Sequence, residues 1–211
     1  MSTEFASADL TAGQLNAIVK KLGGHDGAIK LLQGKLSVSE PTRNWSEQDG
    51  VISLSVTSDG TTGPQWIERL EGKGFRLSDR AKSVLRSPDF KPTIGVTTEI
   101  AILKGMLFED NNRITKKIRA EADKRKLTTP NAEVAYLIQE NFSDEDIEAM
   151  GLVWIVAMHE PIKDSGGDPD LLYASRYGGG RWLDADYDKP DDWWDRDGGF
   201  AFAISQVVTQ N

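Results

Sequence analysis

Residues 171–200 read LLYASRYGGGRWLDADYDKPDDWWDRDGGF, and seven aspartates fall between Asp184 and Asp197. Tyr187, Trp193 and Trp194 are interleaved with them, and glycines frame the run at 178–180 and 198–199. Like charges at this density repel one another unless water screens them, so the segment cannot form an interior. FAFAISQVV follows at once, an apolar strand pattern. Any fold of this chain must therefore join a polar, aromatic-rich surface directly to a buried strand. Large aromatics on such a surface are the composition of a contact region.

The remaining composition limits what can surround that surface. With 211 residues there is room for one large domain, or a domain and an appendage, around a self-sufficient core. Hydrophobic residues make up 38% and charged ones 27%, the balance of a soluble folded chain rather than a disordered one. Cysteine is absent, which excludes disulfide scaffolds, thiolate zinc sites and cysteine nucleophiles. MSTEFASADL at the start has neither the basic residues nor the apolar core of a secretory leader, and no apolar run is long enough to span a membrane. These features predict a chain made in the cytoplasm, with its final location open.

The net charge of −8 is unevenly placed. Residues 164–211 hold ten acidic side chains against four basic ones, while 113–126 holds seven basic against two acidic. An acidic protein lacks the field that gathers polyanions, which argues against nucleic acid as a general partner. The basic run reads most simply as the solvated face of a helix, with a local nucleic-acid patch as the alternative.

Along the chain, Leu15, Ile18, Val19 and Leu22, then Ala28, Ile29 and Leu32, recur at helical spacing on either side of Gly23 and Gly24. This predicts a helix–turn–helix pair over 10–36, which suits packing or oligomerisation better than DNA reading. A connector follows at 37–44. Strands are expected at 51–56, 95–103, 152–158 and 200–208, and helices at 66–71, 78–86, 112–126, 131–141 and 143–150. The dense turn signal SDGTTGP at 58–64 precedes the first of these helices, and Ser143-x-x-Asp146 opens the last as a capping box. Few strands, several helices and no βαβ regularity predict an α+β domain.

Candidate chemistry is sparse. Asp184, Asp186 and Asp188, with Asp192 and Asp195 at the ninth and twelfth positions, superficially match a calcium loop. Lys189 and Pro190 stand where the sharp-turn glycine is needed, and a glycine-rich segment stands where a helix should precede it. A less regular metal site using these carboxylates remains an alternative. His25 and His159 lie in no ligand or catalytic pattern, and His159 beside Glu160 reads as structural. No GxSxG, GxGxxG or P-loop is present.

GGRWLDADYDKPDDWWDRDGGFAFAIS resembles the closing segment of C-type-lectin-fold proteins, in particular the variable proteins of diversity-generating retroelements. The matching residues are Gly179, Gly180 and Trp182 at its start, the irregular polar stretch around Pro190, and Gly199 and Phe200 leading into the last strand. LVWIVAMHEPIKDSGGDPDLL upstream fits the same architecture, so the resemblance covers 151–208. It implies a short N-terminal helical segment, 1–40, and an α+β C-type-lectin-like domain, 41–211, with a variable ligand-binding region at about 171–199. Trp182, Phe200, Phe202 and Ile204 would anchor that region in the core. Without cysteine, neither lectin disulfides nor the formylglycine-generating chemistry found on this fold is implied. Lys189-Pro190-Asp191 stands in place of the sugar-site tripeptides, so calcium-dependent sugar binding is not implied either.

In such systems adenines of a template copy are randomised, and AAC asparagine codons are favoured targets. From AAC the changes reach Asp, Tyr, Ser, Gly and Ala but never Trp, Lys, Glu, Gln or Met. Tyr173, Ser175, Tyr177, Gly178, Gly179, Asp184, Asp186, Tyr187, Asp188, Asp192, Asp195, Asp197 and Gly198 are all reachable. Trp193 is reachable from an AGG arginine codon. Exposed loops favour the same residues for ordinary reasons as well.

The expectation is ligand binding on a diversified surface, without catalysis and without a cofactor or metal. The binding residues would be Tyr173, Ser175, Tyr177, Asp184, Asp186, Tyr187, Asp188, Asp192, Trp193, Asp195 and Asp197. Their tyrosine and aspartate content favours a basic or hydrogen-bond-donating ligand, a protein or a small molecule. Self-association is expected through the N-terminal helices. The alternatives are a metal-dependent enzyme using the aspartates, and a regulator binding nucleic acid through 10–36 and 113–126.

Overall fold

The computed structural model describes residues 11–38 and 43–204. The leader reading of the first ten residues, the helix start at Leu10, the middle of the 37–44 connector and the strand beyond Ile204 lie outside the described residues. The chain forms two compact units, Met1–Arg43 and Asn44–Asn211.

The first unit is a pair of short helices, α1 (Ala12–Lys21) and α2 (His25–Leu32). Thr11 and Gln14 close a capping box at the start of α1, each side chain accepting from the other's backbone N–H. The turn between the helices uses Gly23 and Gly24 at φ 89° and 82°, a region that glycine enters without steric cost. Gly27 is the residue buried in α2, where a Cβ would lie 1.6 Å from the Leu22 carbonyl oxygen.

The second unit begins with a hairpin, β1 (Trp45–Gln48) and β2 (Val51–Asp59), turned at Asp49 and Gly50, both at positive φ. There follow α3 (Gly63–Gly72), β3 (Arg76–Leu77), α4 (Asp79–Arg86) and the long β4 (Ile94–Lys104). Next come α5 (Thr115–Lys124), β5 (Leu127–Thr128), α6 (Glu133–Asn141) and α7 (Asp144–Ala149). The last part is strands with one 3-10 turn at Tyr177–Gly179: β6 (Trp154–Ala157), β7 (Ile162–Lys163), β8 (Pro169–Ser175), β9 (Trp182–Tyr187) and β10 (Gly198–Ile204). Pro64 sits in the first turn of α3 behind the Thr62–Gln65 capping box, and Ser143 caps α7 through Asp146.

The fold is α+β, built on one mixed sheet in the order β1-β2-β4-β10-β6-β8-β9-β3, with β5 on β10 and β7 on β8. The pairs β10–β6 and β3–β9 are parallel and the others antiparallel. Alternate residues of each strand feed two cores. Ile100, Ile102, Ile155, Leu172, Leu183 and Ala201 join Trp66, Leu70, Leu85, Tyr136 and Ile138 from α3, α4 and α6 in the larger one. Leu103, Val156, Met158, Leu171, Phe200 and Phe202 face the other way, under Ile118 and Ala122 of α5 and Trp194. Burial on both sides explains why 152–158 and 200–204 read as unbroken apolar runs.

Four expectations are corrected. Among the described residues the sheet has ten strands rather than a few, and two of them, β8 and β9, lie between 158 and 200, where no strand was expected, while the irregular stretch around Pro190 is loop. In β9, Leu183 and Ala185 point into the core while Trp182, Asp184 and Asp186 take the other face, so aspartates sit where a strand needs a wet side. The helix expected at 112–126 is shorter, because a 3-10 turn at Asp110–Asn112 and a bend at Arg113 precede α5. Of the four expected anchors, Phe200 and Phe202 are buried, whereas Trp182 is half-buried and Ile204 is 38% exposed at the strand's end. Among the described residues no helix is long and apolar enough to cross a membrane.

Candidate binding cleft

The β8–β9 ladder places Tyr173 opposite Asp184, Ser175 opposite Trp182 and Leu171 opposite Asp186. The Tyr173 hydroxyl donates to Asp184 Oδ2 at 3.1 Å. Burial, with the adjacent Asp184 charge, pushes the Tyr173 hydroxyl pKa up. Ala174, Leu183 and Ala185 point to the opposite side, into the larger core. Strand alternation therefore separates packing residues from outward ones along the same segment.

A loop running from Pro190 to Asp197 lies beside this face, and it is fastened from below. Arg113 is 1% exposed. Its guanidinium donates to the carbonyls of Gly105 and Trp194, both at 3.1 Å, and pairs with Asp110 at 2.6 Å. Backbone N–H groups of Thr115, Lys116 and Trp194 donate to Asp192, Pro190 and Arg113. The Trp194 indole donates to Thr115 Oγ1 at 2.9 Å, and the Trp193 indole to the Asp110 carbonyl at 3.0 Å. Gly105 is required beneath, since a Cβ there would lie 2.7 Å from the Arg196 carbonyl oxygen.

Between ladder and loop is a cleft of about 550 Å³. Ser175 and Trp194 are its buried members and Trp154 and Tyr173 are half-buried, and the Trp154 and Trp194 rings sit edge-on to Phe200 at 5.6 and 5.9 Å. Tyr177 and Trp193 stand exposed at the rim, 70% and 57% accessible. Asp184, Asp186 and Asp195 supply three carboxylates, and Arg76 is the one cation among the lining residues, its guanidinium 5.3 Å from the Trp182 ring centroid.

Of the residues singled out by sequence, Tyr173, Ser175, Tyr177, Asp184, Asp186, Trp193 and Asp195 line this cleft. Tyr187, Asp188, Asp192 and Asp197 do not. Tyr187 falls on the core side of β9, where the Arg80 guanidinium lies 3.6 Å from its ring centroid and its hydroxyl bonds Asp168. Asp188 pairs with Arg119, whose guanidinium also holds the Met158 and His159 carbonyls. Asp192 and Asp197 serve through their backbone carbonyls, accepting from Thr115 and Val153. Gly198, grouped with the variable positions, is a packing glycine: a Cβ there would lie 2.0 Å from the Trp154 ring. Trp154, Trp194 and Arg76 were not singled out as ligand contacts. Trp182 gave a signal in its period-2 alternation with Asp184, but Arg76 arrives only through the parallel pairing of β3 with β9.

The other candidates resolve into structure. His159 is buried, its Nε2 accepting the Leu172 N–H at 3.0 Å and its Nδ1 bonding the Glu160 carbonyl at 2.6 Å, and burial pushes its pKa down to about 4. In the basic run, Lys116 pairs with Asp191, Lys117 with Asn112, and Lys124 and Arg125 with Glu121, while Arg113 and Arg119 are bound as above. Among the described residues no three His, Asp or Glu side chains are grouped so as to hold a metal ion. No family model matches the chain, and no curated protein or solved structure matches it either.

Proposed function

We propose that the protein binds a ligand in this cleft, on a C-type-lectin-like scaffold, as the diversified target of a diversity-generating retroelement, and that it does so without catalysis. The observation that carries the reading is the separation of roles within one segment. Eight residues reachable from adenine-containing codons, Gly178 among them, converge on a single cleft, while most of the holding of their backbone is done elsewhere. Leu183, Ala185, Phe200, Arg113 and Thr115 do that holding. A surface of this kind tolerates many sequences because packing does not depend on the outward side chains.

The test is the DNA flanking the gene. A near-copy of the segment encoding 171–199, beside a reverse transcriptase gene, is expected to differ from it only at adenines. The differences should fall in the codons of Tyr173, Ser175, Tyr177, Asp184, Asp186, Trp193 and Asp195 and spare that of Gly198. Absence of such a copy, or mismatches spread over the codons of Leu183, Ala185 and Phe200, would remove the diversification reading.

A further inference from the structure

Six of the cleft-lining residues are aromatic: Trp154, Tyr173, Tyr177, Trp182, Trp193 and Trp194. Aromatic faces attract cations electrostatically, most strongly for tryptophan and most effectively where water is displaced. Three carboxylates stand among these rings against the Arg76 guanidinium, while the Arg113 guanidinium, 5.4 Å from the Trp193 ring centroid, is already paired with Asp110. An anion would meet repulsion there, and a wholly apolar group would strip water from the carboxylates without replacing its hydrogen bonds.

The other side of the same strand pair holds an internal pairing of the same kind. Arg80 lies over the Tyr187 ring at 3.6 Å, with Asp170 at 3.2 Å from its guanidinium. Tyr187 and Asp170 are directly opposed on β9 and β8. On the cleft side the equivalent opposed pair is Asp184 and Tyr173, flanked by indoles.

Resting on the reading of this cleft as a binding site, we propose that its ligand is a cationic side chain, arginine or lysine, presented by a polypeptide partner. The volume exceeds what a lone guanidinium fills, and an apolar stem can lie along the indoles while its charged end meets the carboxylates. Tyr177 and Trp193 at the rim would contact the chain on either side. Arg76 is then a like charge set against the ligand, and it limits affinity.

The experiment follows the indole N–H resonances of the full-length protein by NMR during titration. The probes are N-acetyl-arginine amide, the citrulline and glutamate equivalents, and tetramethylammonium. Arginine amide should move the Trp154, Trp182 and Trp193 signals saturably, with the neutral citrulline amide about tenfold weaker. Asp184→Asn with Asp195→Asn should weaken arginine amide by about tenfold at unchanged melting temperature, and Arg76→Gln should tighten it several-fold. Citrulline or glutamate amide binding as well as arginine amide would overturn the cation and leave the cleft a binding site. Tetramethylammonium binding more tightly than arginine amide would overturn the polypeptide side chain in favour of a small quaternary cation. If no probe of any charge moves these indoles, the binding reading fails as well.

Discussion

Gly198 gives a sharp division between what this surface can vary and what it cannot. It pairs with Trp154 across the parallel β10–β6 ladder, and a Cβ on it would lie 2.0, 2.1 and 2.2 Å from three atoms of the Trp154 indole. Ordinary carbon contacts need about 3.5 Å, so the ring must retreat by roughly 1.5 Å. It has little room to do so, because the Trp194 ring is 5.4 Å away on one side and the Phe200 ring 5.6 Å away edge-on. Overpacking of this kind costs about 3 kcal/mol, which for a unit of this size lowers the melting temperature by about 6–12 °C. Gly198→Ala, followed by calorimetry and circular dichroism, should show that fall. Adding Trp154→Phe, which shortens the opposing ring, should recover part of it, so the two substitutions are non-additive. A fall of less than about 2 °C, or strict additivity, would refute the steric reasoning.

The neighbouring residues make further predictions. Arg113→Met leaves the buried Trp194 carbonyl unpaired and the Gly105 carbonyl with the Phe108 N–H alone, and should cost about 3 kcal/mol, read in chemical denaturation, with the Trp193 and Trp194 environment disturbed. Tyr177→Ser, Asp186→Ser and Asp195→Ser together should change stability by less than about 1 kcal/mol, since all three are exposed. His159 is held neutral with a pKa of about 4, below the unfolded value of 6.5, so its contribution is present above pH 6.5 and is lost as pH falls toward 4. Between pH 7 and pH 4.5 that loss amounts to about 2–3 kcal/mol. Asp170, raised to about 6 by burial, works in the opposite direction. The profile is therefore measured in Asp170→Asn, with and without His159→Gln, and a slope that His159→Gln leaves unchanged would contradict the assignment.

The parts of this architecture that depend on local chemistry were readable from the chain. Pro64 behind Thr62, and Ser143 with Asp146, announce helices through capping that needs no tertiary context. The apolar runs at 152–158 and 200–204 announce strands buried on both faces. The β1–β2 hairpin carried the Asp49-Gly50 turn signal and could have been found from it. β9 was hidden because aspartate is a poor strand former, and only the alternation of Leu183 and Ala185 with acidic neighbours betrays it, while β8 opens on Pro169 and Asp170, both poor strand formers. Tyr187 shares that segment's composition but lies one step out of phase with Asp184 and Asp186, which puts it on the other face. Arg76 and Arg113 could not be read locally. Their roles come from a parallel pairing and from a loop folded against a distant turn.

The separation of cleft side chains from the packing beneath them is tested most directly by a library. Tyr177, Asp184, Asp186, Trp193 and Asp195 would be randomised together, and each variant scored for protease resistance and for binding of arginine amide. The account predicts that well over half of the variants resist proteolysis like the parent while binding is scattered widely. If most variants unfold, or if binding falls only in step with folding, these residues are structural and the cleft is not a displayed surface.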